Sequence, residues 1–415
     1  MLRKTIFKKL EAQGLIANYN RLRKNLPPRL PERVFVWDDT LREGVQTPTV
    51  FLTYVEKVKL AKMMDEVGVS IIAVGYPALS EEEKNSVRRI ANEGFQHASL
   101  AASAGIRKSD VDACLECGIR EISIFTAFNG INLQYRLKMT KEQVLQRTVE
   151  CVQYAKKHGA KVDFVLEDST RTPLEDILRI FHEAVKAGAD RLVIADTLGF
   201  LRPLSMRYLI SHVKEGLTQL GVKEVPLSIH CHNDFGLATA NVLAGLSAGA
   251  DSFSGTFTGI GERAGNSPIE EVCIALKYLH GIDLGVKFDK LKEICSLVEK
   301  YSGVSIQKHK PIVGKNVFVH ESGIHVNGVI KHTRTYENFD PEIVGQKRKF
   351  LFGKHSGSSG LRFILKDFNP SEEEIKKLLK SVKNFSEHNK KSLSESDVCE
   401  LFKTVSGSVS NEKVT

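Results

Sequence analysis

The chain has 415 residues, 42% of them hydrophobic and 26% charged, which is ordinary for a soluble globular protein and long enough for one large domain plus a smaller one. No apolar run approaches the roughly 18 residues needed to cross a bilayer, so no membrane span is expected. The formal net charge of +9 suits an anionic partner, but the lysines are scattered and no basic run is interleaved with aromatics, so nucleic acid is not expected; a phosphorylated cofactor such as coenzyme A and a merely basic surface fit equally well.

Residues 1–10 are basic but lack a signal peptide's apolar core and cleavage site, and read as an amphipathic helix. From there β-type runs recur at 34–37, 70–74, 97–101, 121–125, 161–166, 191–195, 225–230 and 251–257. The spacing, roughly 25 to 40 residues, is that of a βα unit. Helical patterns fill the gaps at 54–67, 141–158, 173–187 and 204–220, and Gly68, Gly159, Gly188 and Gly221 stand where left-handed helix stops are expected. Eight alternating units predict an α/β fold of the (β/α)8 TIM-barrel type, with its active site at the carboxyl ends of the strands. A doubly wound sheet is the alternative, but the Gly-x-Gly-x-x-Gly turn after the first strand is missing.

Past residue 285 the rhythm changes. A helix is expected over 288–301, then a loop-rich stretch over 308–331 carrying His309, His320 and His325, with His332 just beyond. Two helices, 371–384 and 394–404, precede a polar tail expected to fray. The expected division is an N-terminal helical extension (1–29), the barrel (30–285), a linker subdomain (286–368) and a C-terminal helical segment (369–415). The odd count of seven cysteines does not suggest a disulfide framework, and Cys114 and Cys117 read as helix packing; a reducing, cytoplasmic setting is expected.

Three segments at strand ends carry chemistry. His230 and His232 lie two apart, so both imidazoles leave a strand on one face while Cys231 leaves on the other. Taken alone, the pair fits a surface or core position as well as a metal site. Asp39, Arg42, Glu43, Gly44 and Gln46 follow the first strand. The glycine-punctuated loop 259–266 follows the eighth. One shared pocket accounts for all three better than three separate packing explanations do.

Asp39-Thr40-Leu41-Arg42-Glu43-Gly44-x-Gln46, His230-x-His232-Asn233-Asp234 and Gly261-Glu262-Arg263-x-Gly265-Asn266 resemble the DRE-TIM metallolyase superfamily. The likeness is to its Claisen-condensing branch: 2-isopropylmalate, homocitrate, citramalate and Re-type citrate synthases. His320-Glu321-Ser322-Gly323-Ile324-His325, Thr335-Tyr336-Glu337 and Gly353-Lys354-His355-Ser356-Gly357 extend it over roughly residues 34–366.

The resemblance implies an acyltransferase of amino-acid or carboxylic-acid biosynthesis that condenses acetyl-CoA with a 2-oxo acid. It puts a divalent metal (Zn, Mn or Mg) on Glu43, His230 and His232, with Asn266 as a weaker fourth ligand. It makes Arg42 a charge-stabilising residue and Gln46 and Thr197 substrate-binding residues, although Thr197 would also serve as a helix N-cap. Glu167 becomes the base, and His325 with Tyr336 assist proton transfer in the neighbouring subunit's barrel, implying a domain-exchanged homodimer. His309, His320 and His332 read as structural or surface residues.

Three departures stand out. Ala73 takes the place of a second-strand glutamate. Asn129-Gly130-Ile131-Asn132 replaces a Ser-Asp-x-His stretch. Asp163 occupies the position of an arginine that pairs the distal carboxylate of 2-oxoglutarate, and an anion there is expected to disfavour that substrate. The chain also ends too early for the regulatory domain of feedback-inhibited isopropylmalate synthases, so no leucine regulation through one is expected. Two other readings are weighed: a 3-hydroxy-3-methylglutaryl-CoA lyase, whose Gly-Gly-Cys-Pro loop is absent from 261–266, and a metal-bound paralogue without activity, suggested by Ala73 and Asn132.

Overall fold

Eight parallel strands form one closed barrel in chain order in the computed structural model, which describes residues 4–406 apart from residue 28. They are β1 (Phe35–Asp38), β2 (Ile71–Ala73), β3 (Ser99–Ala104), β4 (Glu121–Ala127), β5 (Lys161–Glu167), β6 (Arg191–Asp196), β7 (Leu227–Cys231) and β8 (Ser252–Gly255). Closure is made by β1 against β8, with Trp37 opposite Ser254. The expected barrel is therefore present, with strand bounds shifted by a few residues. The largest shift is at β3, which starts at Ser99: the Asp65 carboxylate, on the helix Tyr54–Val67, accepts from the amides of Gln96, His97 and Ala98 at 2.7–2.8 Å and ties that stretch down.

The helices form where local chemistry favours them. Tyr54–Val67 opens with a reciprocal Thr53–Glu56 capping box and stops at Gly68, whose φ of 91° suits only glycine. Lys141–Lys157 opens with the same device, Thr140 with Gln143. Cys114 lies in the helix Lys108–Glu116 and Cys117 caps its end; both thiols are buried, their sulfurs reaching only the carbonyls of Ser103 and Lys84, as packing requires. The expected N-terminal helix spans Lys4–Ala12. The expected fraying of the tail falls on residues outside those described.

Inside the barrel, Trp37, Ile71, Ala73, Ala101 and Val193 form an apolar layer with Val165. Beneath it, near the amino ends of the strands, lies a buried ionic group. The Arg191 guanidinium donates to Asp163 at 2.8 Å and to Glu121 at 3.1 Å, and Lys161 donates to Glu121 at 2.7 Å. This corrects the expectation for Asp163. It is fully buried and committed to Arg191, so it presents no free anion to a substrate.

The chain divides into two compact units. The first ends at Lys287 and takes in Glu293–Ser305, so the helix Leu291–Ser302 lies mainly in the barrel unit. The second combines Phe288–Lys292 with the chain from Ile306 onward. It holds a two-stranded parallel sheet, β9 (Val319–His320) with β10 (Lys349–Phe350), and the helices Gly323–Lys331, Ser358–Ile364, Glu372–Asn389 and Glu395–Val405. Val326, Phe352, Leu361, Leu378, Val398 and Phe402 belong to one apolar core, so 306–368 and 369–406 form one unit here rather than two.

The helix Gly323–Lys331 falls in a stretch expected to be loop. Its glycines serve close packing instead: a Cβ on Gly323 would lie 2.7 Å from the Gly357 amide, and one on Gly328 2.7 Å from the Tyr336 ring. Among the described residues no helix is long and apolar enough to cross a membrane.

Candidate active site

At the carboxyl end of β1 the chain turns sharply. The Asp38 carboxylate accepts from the Thr40 amide at 2.6 Å, and the Glu43 and Gly44 amides return to the Asp39 carbonyl. This turn points Arg42 and Glu43 to the barrel axis. A Cβ on Gly44 would stand 3.0 Å from the tip of the Ile260 side chain, a tight fit. Alternation along β7 sends His230 the same way, and His232 follows just past the strand.

The two imidazole Nε2 atoms lie 3.2 Å apart, with Glu43 Oε1 3.6 Å from His232 Nε2. All three ligand-type atoms fall within 4.8 Å of one another, and all three residues are buried. Ser254 Oγ lies 2.7 Å from His230 Nδ1, which leaves Nε2 facing the cluster.

The electrostatics favour a cation-binding state. Burial and the neighbouring His230 push His232 down to about 3, so its ring is neutral near pH 7 and keeps a lone pair. Burial by itself would raise Glu43, but the neighbouring Arg42 guanidinium outweighs it and holds the carboxylate ionised. Arg42 contacts Glu43 directly and stays protonated despite burial because Glu43, Asp39 and Glu167 surround it. Asn266 is bridged to His232 through the backbone. Its Nδ2 donates to the Ile260 carbonyl, and its buried Oδ1 has no partner among the described residues. Two facing imidazole nitrogens with a carboxylate, and an orphaned oxygen on the residue paired with His232, fit a divalent ion.

Arg42, Glu43, Gln46, Glu167, Thr197, His230 and His232 line one cavity of about 570 Å³ in the barrel mouth. Glu167 ends β5, followed by Asp168 in a left-handed conformation (φ 54°). The Thr197 hydroxyl accepts from the Asp168 amide at 2.8 Å. The N-cap alternative for Thr197 is not realised, because the next helix, Pro203–Gln219, starts six residues on with Arg202 at its cap. Arg263 forks onto Asp234 at 2.9 and 3.1 Å and touches the Thr197 carbonyl, tying together the loops after β6, β7 and β8.

His325 and Tyr336 belong to the second unit, where their rings stack with centroids 4.0 Å apart and both side chains are exposed. His320 is buried there and lies 3.1 Å from Glu337, which also takes a two-pronged contact from Arg348. His332 accepts from the Arg334 amide as a turn cap and His309 is exposed, so all three have the structural or surface settings expected of them.

Among the cavity residues that the reading of the sequence did not single out are Ser254 and Arg136. Ser254 could have been found from alternation along β8, where Ser252 and Ser254 share the inward face. Arg136 lines the cavity and pairs with Glu167 at 2.7 Å. Its signal was the four-residue spacing from Asn132, which puts two side chains together on a helical turn.

An eight-stranded parallel barrel with a carboxylate, two imidazoles and an acid–base candidate at its carboxyl face is the framework of a TIM-barrel enzyme. The chain belongs to the HMGL-like family, whose model matches residues 33–298, and residues 312–390 match the homocitrate synthase post-HMGL domain-like model. It is 43% identical to homocitrate synthase AksA of Methanopyrus kandleri over 85% of this chain and 88% of that one. It is 38% identical to the 2-isopropylmalate synthase of Methanocaldococcus jannaschii (92% and 74% covered) and 38% identical to that organism's (R)-citramalate synthase CimA (92% and 76%). Among solved structures, the Bacillus subtilis HMG-CoA lyase shares the fold, with a TM-score of 0.60 at 19% identity over 67% of this chain and 96% of that one.

Proposed function

We propose that the protein is an acetyl-CoA-dependent acyltransferase that joins the acetyl methyl carbon to the keto carbon of a 2-oxo acid and then hydrolyses the thioester. The single observation that carries this is the convergence of Glu43, His230 and His232 with Glu167 in one cavity, in a chain about 40% identical to three synthases of that type. A divalent ion (Zn, Mn or Mg) on Glu43, His230, His232 and Asn266 would supply a Lewis acid for the keto oxygen and carboxylate of the substrate.

The chain's own groups do the rest. Arg42 places a fixed positive charge where the alkoxide develops, a contribution realised in the transition state. Thr197 and Gln46 bind the 2-oxo acid, with the Thr197 hydroxyl aimed at its carboxylate. Glu167 takes the methyl proton. His325 and Tyr336 move protons in the barrel of a second copy, which makes the working form a domain-exchanged homodimer. In this reading residues 1–29 extend a catalytic barrel (30–285), and the second unit serves the partner's site. A cytoplasmic setting accords with seven free cysteines, six of them buried.

The test is release of CoA thiol from acetyl-CoA by metal-replete protein with a panel of 2-oxo acids. Stimulation by at least one supports the proposal, and none sinks it. Lyase chemistry is disfavoured because the 261–266 loop offers no cysteine thiol.

A further inference from the structure

The loop after β4 carries Asn132, and what Asn132 does there has a chemical consequence. Residues Asn132–Leu137 form a π-helical turn, a widened geometry frequent at functional sites, and Lys138 ends it in a left-handed conformation. The turn lays Arg136 along the cavity. Its Nη2 donates to Glu167 Oε2 at 2.7 Å, and its Nε donates to Asn132 Oδ1 at 3.0 Å.

Asn132 is itself fixed. Its Nδ2 donates to Asp168 Oδ2 at 3.0 Å and to Asn129 Oδ1 at 3.0 Å. Asp168 is gripped by Arg171 at 2.9 and 2.6 Å and by Asn129 at 2.6 Å. An exposed ion pair ordinarily contributes little, partly because two long side chains must be ordered to make it. Here Asn132 already orders the guanidinium, and its Nη1 amino group has no partner among the described residues.

We propose that Arg136 is a further catalytic residue, which holds Glu167 toward the acetyl group and then carries the charge of the enolate, with Asn132 as the residue that positions it. The inference rests on the condensation proposed above. When Glu167 takes the methyl proton, the C–H bond breaks and its electron pair becomes the carbon–carbon double bond of the enolate. The carbonyl π pair moves onto the thioester oxygen. Glu167 becomes neutral at that moment, so Arg136 loses its anion as a new one forms beside it. The net charge of the group is unchanged, and a donor fixed in advance spends little on reorganisation. As the methylene carbon bonds to the keto carbon, the thioester carbonyl reforms and the negative charge passes to the keto oxygen, on the Arg42 side.

Full-length wild type, Arg136→Gln, Arg136→Lys and Asn132→Ala are compared for CoA release, with substrate concentrations varied and with acetyl-CoA deuterated at the methyl group. Loss of one oxyanion-type donor predicts a fall in kcat of about 10²- to 10³-fold for Arg136→Gln, with KM for the 2-oxo acid changed less than about threefold. The deuterium isotope effect on kcat grows, since enolisation becomes the slow step. Arg136→Lys recovers part of the loss, and Asn132→Ala falls between. Added guanidinium ion restores activity to Arg136→Gln, which a folding defect would not allow. An unchanged kcat overturns the proposal, as does a loss confined to KM for acetyl-CoA or for dicarboxylic 2-oxo acids. Wild-type protein inert with every 2-oxo acid refutes the condensation itself, a distinguishable result.

Discussion

Replacing Asp38 with asparagine separates the electrostatic cost of the site's scaffold from its catalytic groups. Asp38 is fully buried at the end of β1; one oxygen accepts from the Thr40 amide, and the other has no partner among the described residues. Burial, only partly offset by Thr40 and reinforced by Asp39 and Glu270, pushes its carboxyl up to about 7 from 3.8. Between those two values the unfolded chain gives up a proton that the folded one keeps. Stability therefore falls as pH rises through that window and levels off above it. At 1.36 kcal/mol per pH unit, this one group removes about 3 kcal/mol between about pH 5 and pH 8.5.

Asparagine keeps the shape and the acceptor for Thr40 but cannot ionise. Its advantage over wild type should therefore grow by about 3 kcal/mol across that range, whatever its offset at acid pH. The assay is urea denaturation followed by fluorescence of Trp37, the chain's single tryptophan, buried one residue from the substitution and so a direct reporter of the barrel. A difference between the two proteins that stays constant with pH would falsify the argument.

Glu167→Gln keeps the shape of the proposed base without its proton affinity; CoA release should fall by about 10²- to 10⁴-fold while bound metal, measured by elemental analysis, is unchanged. Ser254→Ala removes the group that orients His230, and competition with a chromogenic chelator should show metal affinity weakened by about 10- to 100-fold, with retained affinity contradicting the assignment. Glu337→Ala leaves Arg348 and His320 without their shared carboxylate; a loss of about 2 kcal/mol, read as faster amide exchange in the second unit, is expected.

Which parts of this molecule could be read in advance follows from the range of the forces involved. Strand alternation and helix periodicity are local, so eight βα units and the inward aim of His230 and His232 were legible from residues near them. The barrel then makes the remote ends of β1, β5 and β7 neighbours, because closure leaves a single carboxyl face; Glu43 and Glu167 reach the histidines by topology alone. What stayed hidden depended on pairings that no spacing specifies. Asp163 looked like a pocket anion until Arg191, on the next strand, proved to hold it. The helix Gly323–Lys331 was masked by glycines whose use is close approach to Gly357 and Tyr336. Asn132 looked like a lost function because the Ser-Asp-x-His stretch that the resemblance implies is absent there. Its meaning needed two further side chains, Asp168 to fix it and Arg136 to be fixed by it. The residue that suggested an inactive paralogue thus holds Arg136 against Glu167, the arrangement that the proposed chemistry needs.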